Sequence, residues 1–206
     1  MKVSLTEAGK RFNRDWIFRH LTYTFEEGNS YAVIGPNGSG KSTLLQVLSG
    51  AMQLSEGNSQ WSMVNGELPN EQVYKHVSIC TPYLEVVEEM TLKEFLQFHH
   101  HFKPLLSSVK IHSIISIIGL ENAMNKQIRF FSSGMKQRTK LAQAIFSDTS
   151  FLLLDEPCTN LDTAGIELYH GLIDEYCKNR LVIVSSNDEI EYRFCQKKIN
   201  ITEYKK

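Results

Sequence analysis

A chain of 206 residues with 42% hydrophobic and 22% charged side chains is long enough for one domain with a modest insertion, and apolar enough to bury a core. Its formal net charge of −1 sets a dedicated nucleic-acid binder aside, since such proteins run strongly basic. No apolar run nears the roughly 18–20 residues that cross a bilayer, and the N-terminus lacks a signal peptide's apolar core, so a cytosolic chain is expected, with any membrane role reached through a partner.

Val3-Ser4-Leu5 alternates, and Leu21, Tyr23 and Phe25 recur at period two before the turn Glu26-Glu27-Gly28-Asn29. That pattern predicts an antiparallel β element. Tyr31-Ala32-Val33-Ile34 then runs into Gly35-Pro36-Asn37-Gly38-Ser39-Gly40-Lys41-Ser42-Thr43, which fits G-x-x-x-x-G-K-[ST] between a strand and a helix ending near Gly50. The glycines let successive amides curl toward an anion, and the helix adds its positive dipole end. Lys41 can then reach the β- and γ-phosphates of a nucleotide, and the Ser42 hydroxyl can ligate Mg²⁺. A glycine-rich turn before an ordinary helix would leave the Lys-Ser pair and the flanking elements unaccounted for.

Next come a short β stretch over 59–64, closed by the tight-turn pair Asn65-Gly66, and a strand over 77–80. From Thr91 the character is helical. Thr91-Leu92-Lys93-Glu94 is a capping box, and Ile111, Ile114, Ile115 and Ile118 form a one-sided stripe that stops at Gly119. This α-rich block, about residues 91–130, interrupts an α/β pattern and reads as an inserted helical subdomain.

Phe131-Ser132-Ser133-Gly134-Met135-Lys136-Gln137-Arg138 is a helix start in which Ser132 or Ser133 caps and Gly134 admits a close backbone approach. On these residues alone, a capped surface helix is the plainer reading. A helix over 137–146 follows. Phe151-Leu152-Leu153-Leu154-Asp155-Glu156-Pro157 is an apolar strand ending in two carboxylates. Burying it puts Asp155 beside the phosphate loop, where it can hold Mg²⁺ through water, and lets Glu156 orient or deprotonate an attacking water. A helix over 163–177, with Ile166, Tyr169, Ile173, Tyr176 and Cys177 on one side, and a buried strand over 181–185 complete the pattern. The expected class is α/β: a P-loop NTPase with a mainly parallel sheet, an N-terminal antiparallel β subdomain and the helical insertion. One domain is expected over 1–206, its core in 1–90 and 131–206.

At residues 131–138 the sequence resembles the signature of the ATP-binding cassette (ABC) ATPases, Leu-Ser-Gly-Gly followed by Gln-Gln or Met-Lys-Gln-Arg. Phe131 replaces the Leu and Ser133 the first Gly, while Ser132, Gly134, Lys136, Gln137 and Arg138 match. Thr159-Asn160-Leu161-Asp162 is similar to the family's D-loop. P-loop kinases and small GTPases lack the signature. The resemblance implies the ATP-binding and ATP-hydrolysing subunit of an ABC transporter, with ATP and Mg²⁺ as ligands. It further implies a head-to-tail dimer with a second cassette, identical or different, beside separate integral membrane permease subunits on the cytoplasmic face of the membrane. Each ATP would lie between one subunit's phosphate loop and the other's Ser132, Ser133 and Gly134, with Asp162 nearby. Phe12 matches the aromatic that stacks on adenine in this family, and it reads equally as an edge or core aromatic.

Two polar residues of the family are replaced. Its Gln at the entry to the helical lobe falls at Thr81-Pro82-Tyr83, where Thr81 or Glu85 is the nearest substitute. Its His after Val182-Ile183-Val184-Ser185-Ser186 is Asn187, a neutral donor that takes no proton and reaches less far. Removing one preorganised donor costs on the order of 10²–10³ in rate elsewhere. A slow but competent ATPase is therefore expected, with Glu156 in place. The alternative is a degenerate cassette serving as an ATP-dependent clamp or regulatory module. DNA-repair, chromosome and ribosome-associated relatives carry coiled-coil insertions or paired cassettes, which the sequence lacks.

Other features carry less. His99-His100-His101 cannot converge on one ion, because adjacent helical residues point about 100° apart. The four cysteines form no C-x-x-C pair. Trp16 and Trp61 are expected in sheet packing, and Lys197, Lys198, Lys205 and Lys206 as a solvated cluster.

Overall fold

The period-two alternation at the N-terminus becomes a hairpin of β1 (Lys2–Phe12) and β2 (Asp15–Glu26), in which Val3 faces Phe25 and Leu5 faces Tyr23. Val3, Leu5, Phe18, Leu21 and Phe25 are buried on its inner face. The β3 strand (Ser30–Ile34) leads to the phosphate loop and α1 (Lys41–Leu48). β4 (Glu56–Met63) and β5 (Gly66–Leu68) extend the first sheet, in the order β2-β1-β4-β5. The expected turn at Asn65-Gly66 sits one residue earlier, because Gly66 already pairs with Met63 and leaves Val64 and Asn65 as the loop. The buried Trp61–Leu68 pair fits that register, since a slip of one residue would turn Leu68 to the face opposite Trp61. Trp61 also donates its indole N–H to the Leu48 carbonyl at 2.9 Å.

A computed structural model describes residues 1–205. The chain forms two units, one from Met1–Val77, Thr149–Glu156 and the stretch from Asn179, the other from Ser78–Asp148 and Pro157–Lys178. β6 (Val77–Cys80) carries the chain from the first to the second. Besides its antiparallel sheet, the first unit holds β7 (Phe151–Asp155), β8 (Leu181–Ser185) and β9 (Lys197–Asn200), in the parallel order β7-β8-β3-β9. Every residue of β7 and β8 is buried, which explains their nearly unbroken apolar sequence. β8 lies between β3 and β7, so the segments leaving these three strands emerge side by side at their carboxyl ends.

The second unit holds α2 (Leu92–Phe102), α3 (Ile111–Ile117), α4 (Ser133–Ile145) and α5 (Thr163–Tyr176). The Thr91 hydroxyl accepts from the Glu94 amide and Glu94 accepts from the Thr91 amide, completing the capping box. The Thr91 amide and hydroxyl, both donating to the Glu94 carboxyl, hold it below the usual range. Ile114, Ile115 and Ile118 are fully buried. The helical unit is wider than the block expected over about 91–130, because it also takes in α4 and α5. Leu106 donates its amide to Phe146 and Asp148 to Pro104, tying the α2–α3 connection to the end of α4. No helix among the described residues is long and apolar enough to cross a membrane.

The three histidines of α2 have three separate partners. His99 lies between Gln143 (3.1 Å) and Ser147 (2.8 Å), His100 Nδ1 accepts from the Leu105 amide, and His101 Nδ1 lies 2.7 Å from the Gln97 carbonyl. Burial, helped by the charge of Lys103, pushes the His99 pKa down to about 4. Between pH 6.5 and about 4 the unfolded chain therefore binds a proton there that the folded chain refuses. The stability tied to His99 is complete above pH 6.5 and falls as the pH drops through that window. His99→Gln is expected to flatten this part of a plot of Tm against pH.

Candidate functional site

In the first unit, the loop from Gly35 to Gly40 doubles back on itself, with the Ser39 amide donating to the Pro36 carbonyl at 3.1 Å. Gly40 caps α1 at φ +105°, and a Cβ there would stand 2.3 Å from Ile17 Cγ2 on β2, so no larger residue fits. Lys41 is only 4% exposed and bends back over the loop, its Nζ donating to the carbonyls of Gly35 (2.8 Å) and Pro36 (3.3 Å). Ser42 is exposed and Thr43 half-buried on the first turn of α1. Phe12 closes β1 with its ring 46% exposed and Lys10 Nζ 5.3 Å from the ring centroid. Its hairpin is the one whose Ile17 abuts Gly40.

Asp155 ends β7 at 4% exposure, and no ion pair among the described residues neutralises it. Glu156 follows at φ +45°, a left-handed conformation costing a side-chain-bearing residue roughly 1–3 kcal/mol. Its amide donates to the Ser185 carbonyl at 2.9 Å, which pins the strained turn to β8. Asn187, just beyond β8, is exposed and donates from Nδ2 to Asn37 Oδ1 of the phosphate loop at 3.3 Å. The first unit thus brings together the loop, Asp155, Glu156 and Asn187. Their donor set fits a magnesium–triphosphate. The ammonium and the amides of α1 suit phosphate, the unneutralised carboxylate suits a hard cation, and the buried Ser39 hydroxyl has no partner of its own.

In the second unit, Ser132 caps α4 by accepting from the Met135 amide at 3.2 Å. The amides of Ser133 and Gly134 start the helix and have no partner within it. A Cβ on Gly134 would come within 3.1 Å of the Asn160 carbonyl, so this backbone approach favours glycine. Asp162 caps α5 through the Gly165 amide (2.8 Å) and meets Arg138 Nη2 at 3.3 Å. The Gly165 amide, with the Arg138 charge beside it, holds the Asp162 carboxyl below its ordinary range. Both helix tips line a cleft of about 510 Å³, together with Gly119, Asn122 and Asn160. Buried Gln137 donates to the Pro157 carbonyl at 2.7 Å and anchors α4 from below.

Asn160 and the Arg138–Asp162 pair lie within the D-loop-like and signature-like segments, but their approach to each other's helix tips has no signal in the sequence. Thr81, a candidate substitute for the missing Gln, uses its hydroxyl to accept from the Leu84 amide in a local turn, and Glu85 is exposed.

The sequence model of the ABC transporter family matches residues 18–159. Among curated proteins, the chain is 34% identical over 192 residues to YybJ of Bacillus subtilis, an uncharacterised ABC transporter ATP-binding protein, covering 90% of this chain and 85% of that one. It is 27% identical to the cytochrome c biogenesis ATP-binding export protein CcmA of Haemophilus influenzae, across 99% of this chain and 97% of the relative. The chain spans 61% of another Bacillus subtilis relative, YhcH, at 29% identity. Among solved structures, an ATP-binding subunit of an ABC transporter superposes with a TM-score of 0.84 at 20% identity, over 98% of this chain and 87% of that one. The dimeric bacterial cassette MJ0796 gives a TM-score of 0.81 at 19% identity, over 97% and 94%. At these identities the superpositions speak for the fold.

Proposed function

The chain belongs to the ATP-binding proteins of the ABC transporter family, and from that premise we propose that it drives a transporter whose membrane-spanning part resides on separate permease chains. It is an ATPase of the P-loop class, and ATP hydrolysis coupled to transport is its activity. The observation that carries the ATP-hydrolysing role is the convergence, within one unit, of a buried Lys41, the strained acidic strand end and Asn187 on the phosphate loop.

Lys41 moves its ammonium from the loop carbonyls onto the β- and γ-phosphates. The Ser42 hydroxyl and Asp155 would hold Mg²⁺, whose charge would offset that of the phosphate oxygens. Amides between Gly35 and Thr43, including those of Asn37 and Gly38, cradle the phosphates, and Pro36 and Ser39 shape the loop. Glu156 accepts the proton of the attacking water. Asn187 donates from Nδ2 to the γ-phosphate in place of Asn37, and Phe12 stacks on the adenine. In a head-to-tail dimer with a second cassette, the amides at Ser133 and Gly134, with Ser132, serve the ATP held by the other subunit's loop. Asp162 keeps that tip in register through Arg138. The dimer works at the cytoplasmic face of a membrane through its permease partners.

The purified chain should sediment as a monomer without nucleotide and as a dimer with ATP. From a detergent extract it should co-purify with a polytopic membrane protein. A chain that binds ATP yet stays monomeric at every concentration rules the shared site out. Asn187 also yields a prediction in the favourable direction. Asn187→His supplies a longer donor that can also be protonated, and is expected to raise kcat by about tenfold or more at nearly unchanged ATP affinity. Single-turnover phosphate release checks it.

A further inference from the structure

Ser185 ends β8 fully buried, and its hydroxyl has no hydrogen-bond partner. Its neighbour Ser186 differs, since that hydroxyl accepts from the Asp188 amide at 2.9 Å. Nothing in the sheet calls for a polar group at 185. The strand reads Leu181-Val182-Ile183-Val184 up to that point, and an apolar residue would continue it without the desolvation penalty of an unpaired hydroxyl. The register shows where the group stands. Ser185 pairs with Asp155 on β7 and with Val33 on β3, and residues paired in a parallel sheet project to the same face. Its side chain therefore lies beside the carboxylate of Asp155 and next to the strand that becomes the phosphate loop.

We infer that Ser185 is a positioning residue for the magnesium site, its hydroxyl bonding the water shell of the ion held at Asp155. This rests on the ATP-binding reading above. The partner that the hydroxyl lacks in the protein alone is supplied by the hydrated metal. Outer-shell partners of this kind orient the ligands of a metal, and their loss typically costs 10–100-fold in metal affinity.

Nucleotide binding, read with a fluorescent ATP analogue in EDTA and across a Mg²⁺ titration, tests the role. In Ser185→Ala the Mg²⁺ concentration for half-maximal enhancement of binding should rise about tenfold or more. Affinity in EDTA should be unchanged, and the Tm of the nucleotide-free protein should be no lower than wild type, because no bond is lost. Ser185→Thr, which keeps the hydroxyl, should recover the wild-type Mg²⁺ dependence. An unchanged Mg²⁺ titration in Ser185→Ala overturns the inference. So does an equal loss of affinity with and without Mg²⁺, or a variant that melts early or fails to fold, since each assigns the hydroxyl to the scaffold. A wild-type protein that binds no nucleotide removes the ATP reading itself, which keeps the two failures apart.

Discussion

Replacing Glu156 with Gln is expected to lower steady-state ATP hydrolysis by about 10²–10⁴-fold while ATP affinity stays within a few-fold of wild type. The exchange keeps the shape of the side chain and removes only its capacity to accept a proton. The left-handed backbone at this position, φ +45°, and the amide bond to the Ser185 carbonyl remain available to Gln. Binding is thereby separated from chemistry, because Lys41, the loop amides and Asp155 are untouched. Phosphate release measured beside equilibrium binding of labelled ATP reads both quantities. The ATP-bound dimer should also persist far longer in this variant, since hydrolysis is the step that releases it. If hydrolysis falls less than tenfold, another group takes the proton and the role assigned to Glu156 is wrong. Asn187→His should move the rate in the opposite direction, so the two variants bracket the same step.

Lys41→Ala is expected to weaken ATP binding by about 10- to 10²-fold. A charge-assisted bond to phosphate is worth about 1.5–3 kcal/mol, and each 1.4 kcal/mol is tenfold in Kd. Lys41 is buried with its ammonium already gathered over the loop, so little side-chain freedom remains to be lost when phosphate arrives. The same variant loses two bonds to the loop carbonyls of Gly35 and Pro36. Its Tm without nucleotide should therefore fall by a few degrees, at about 2–4 °C per kcal/mol for a chain of this size. Calorimetric titration with Mg²⁺–ATP and a thermal melt suffice. An affinity within threefold of wild type would mean that the loop amides alone hold the phosphates.

Much of the candidate site was legible in the sequence because its chemistry is local. Phosphate binding uses the backbone of consecutive residues, so Gly35 to Thr43 carry the pattern in one window. The Ser132 and Asp162 caps are equally short-range, each a side chain reaching an amide three residues on. Thr91 and Glu94 announced α2 for the same reason. The contacts without a local trace join distant segments. Asn187 meets Asn37 across 150 positions, and Ser185 stands beside Asp155 only because β8 enters the sheet next to β7. The turn after β4 moved by one residue because Trp61 and Leu68 must share a face, a demand of pairing that the Asn65-Gly66 dipeptide does not express.

The amino-acid order by itself determined the α/β class, the phosphate loop, the acidic strand end and the signature-like helix start, since each is written in a run of adjacent residues. Tertiary structure alone decided which strands are neighbours, that α4 and α5 group with the helical unit, and which polar atoms lie buried without a partner. The physical reason is that burial and pairing are properties of the assembled sheet and of helix packing. A hydroxyl in a run of valines looks the same in sequence whether its strand lies at an edge or, like β8, between the phosphate-loop strand and the acidic one.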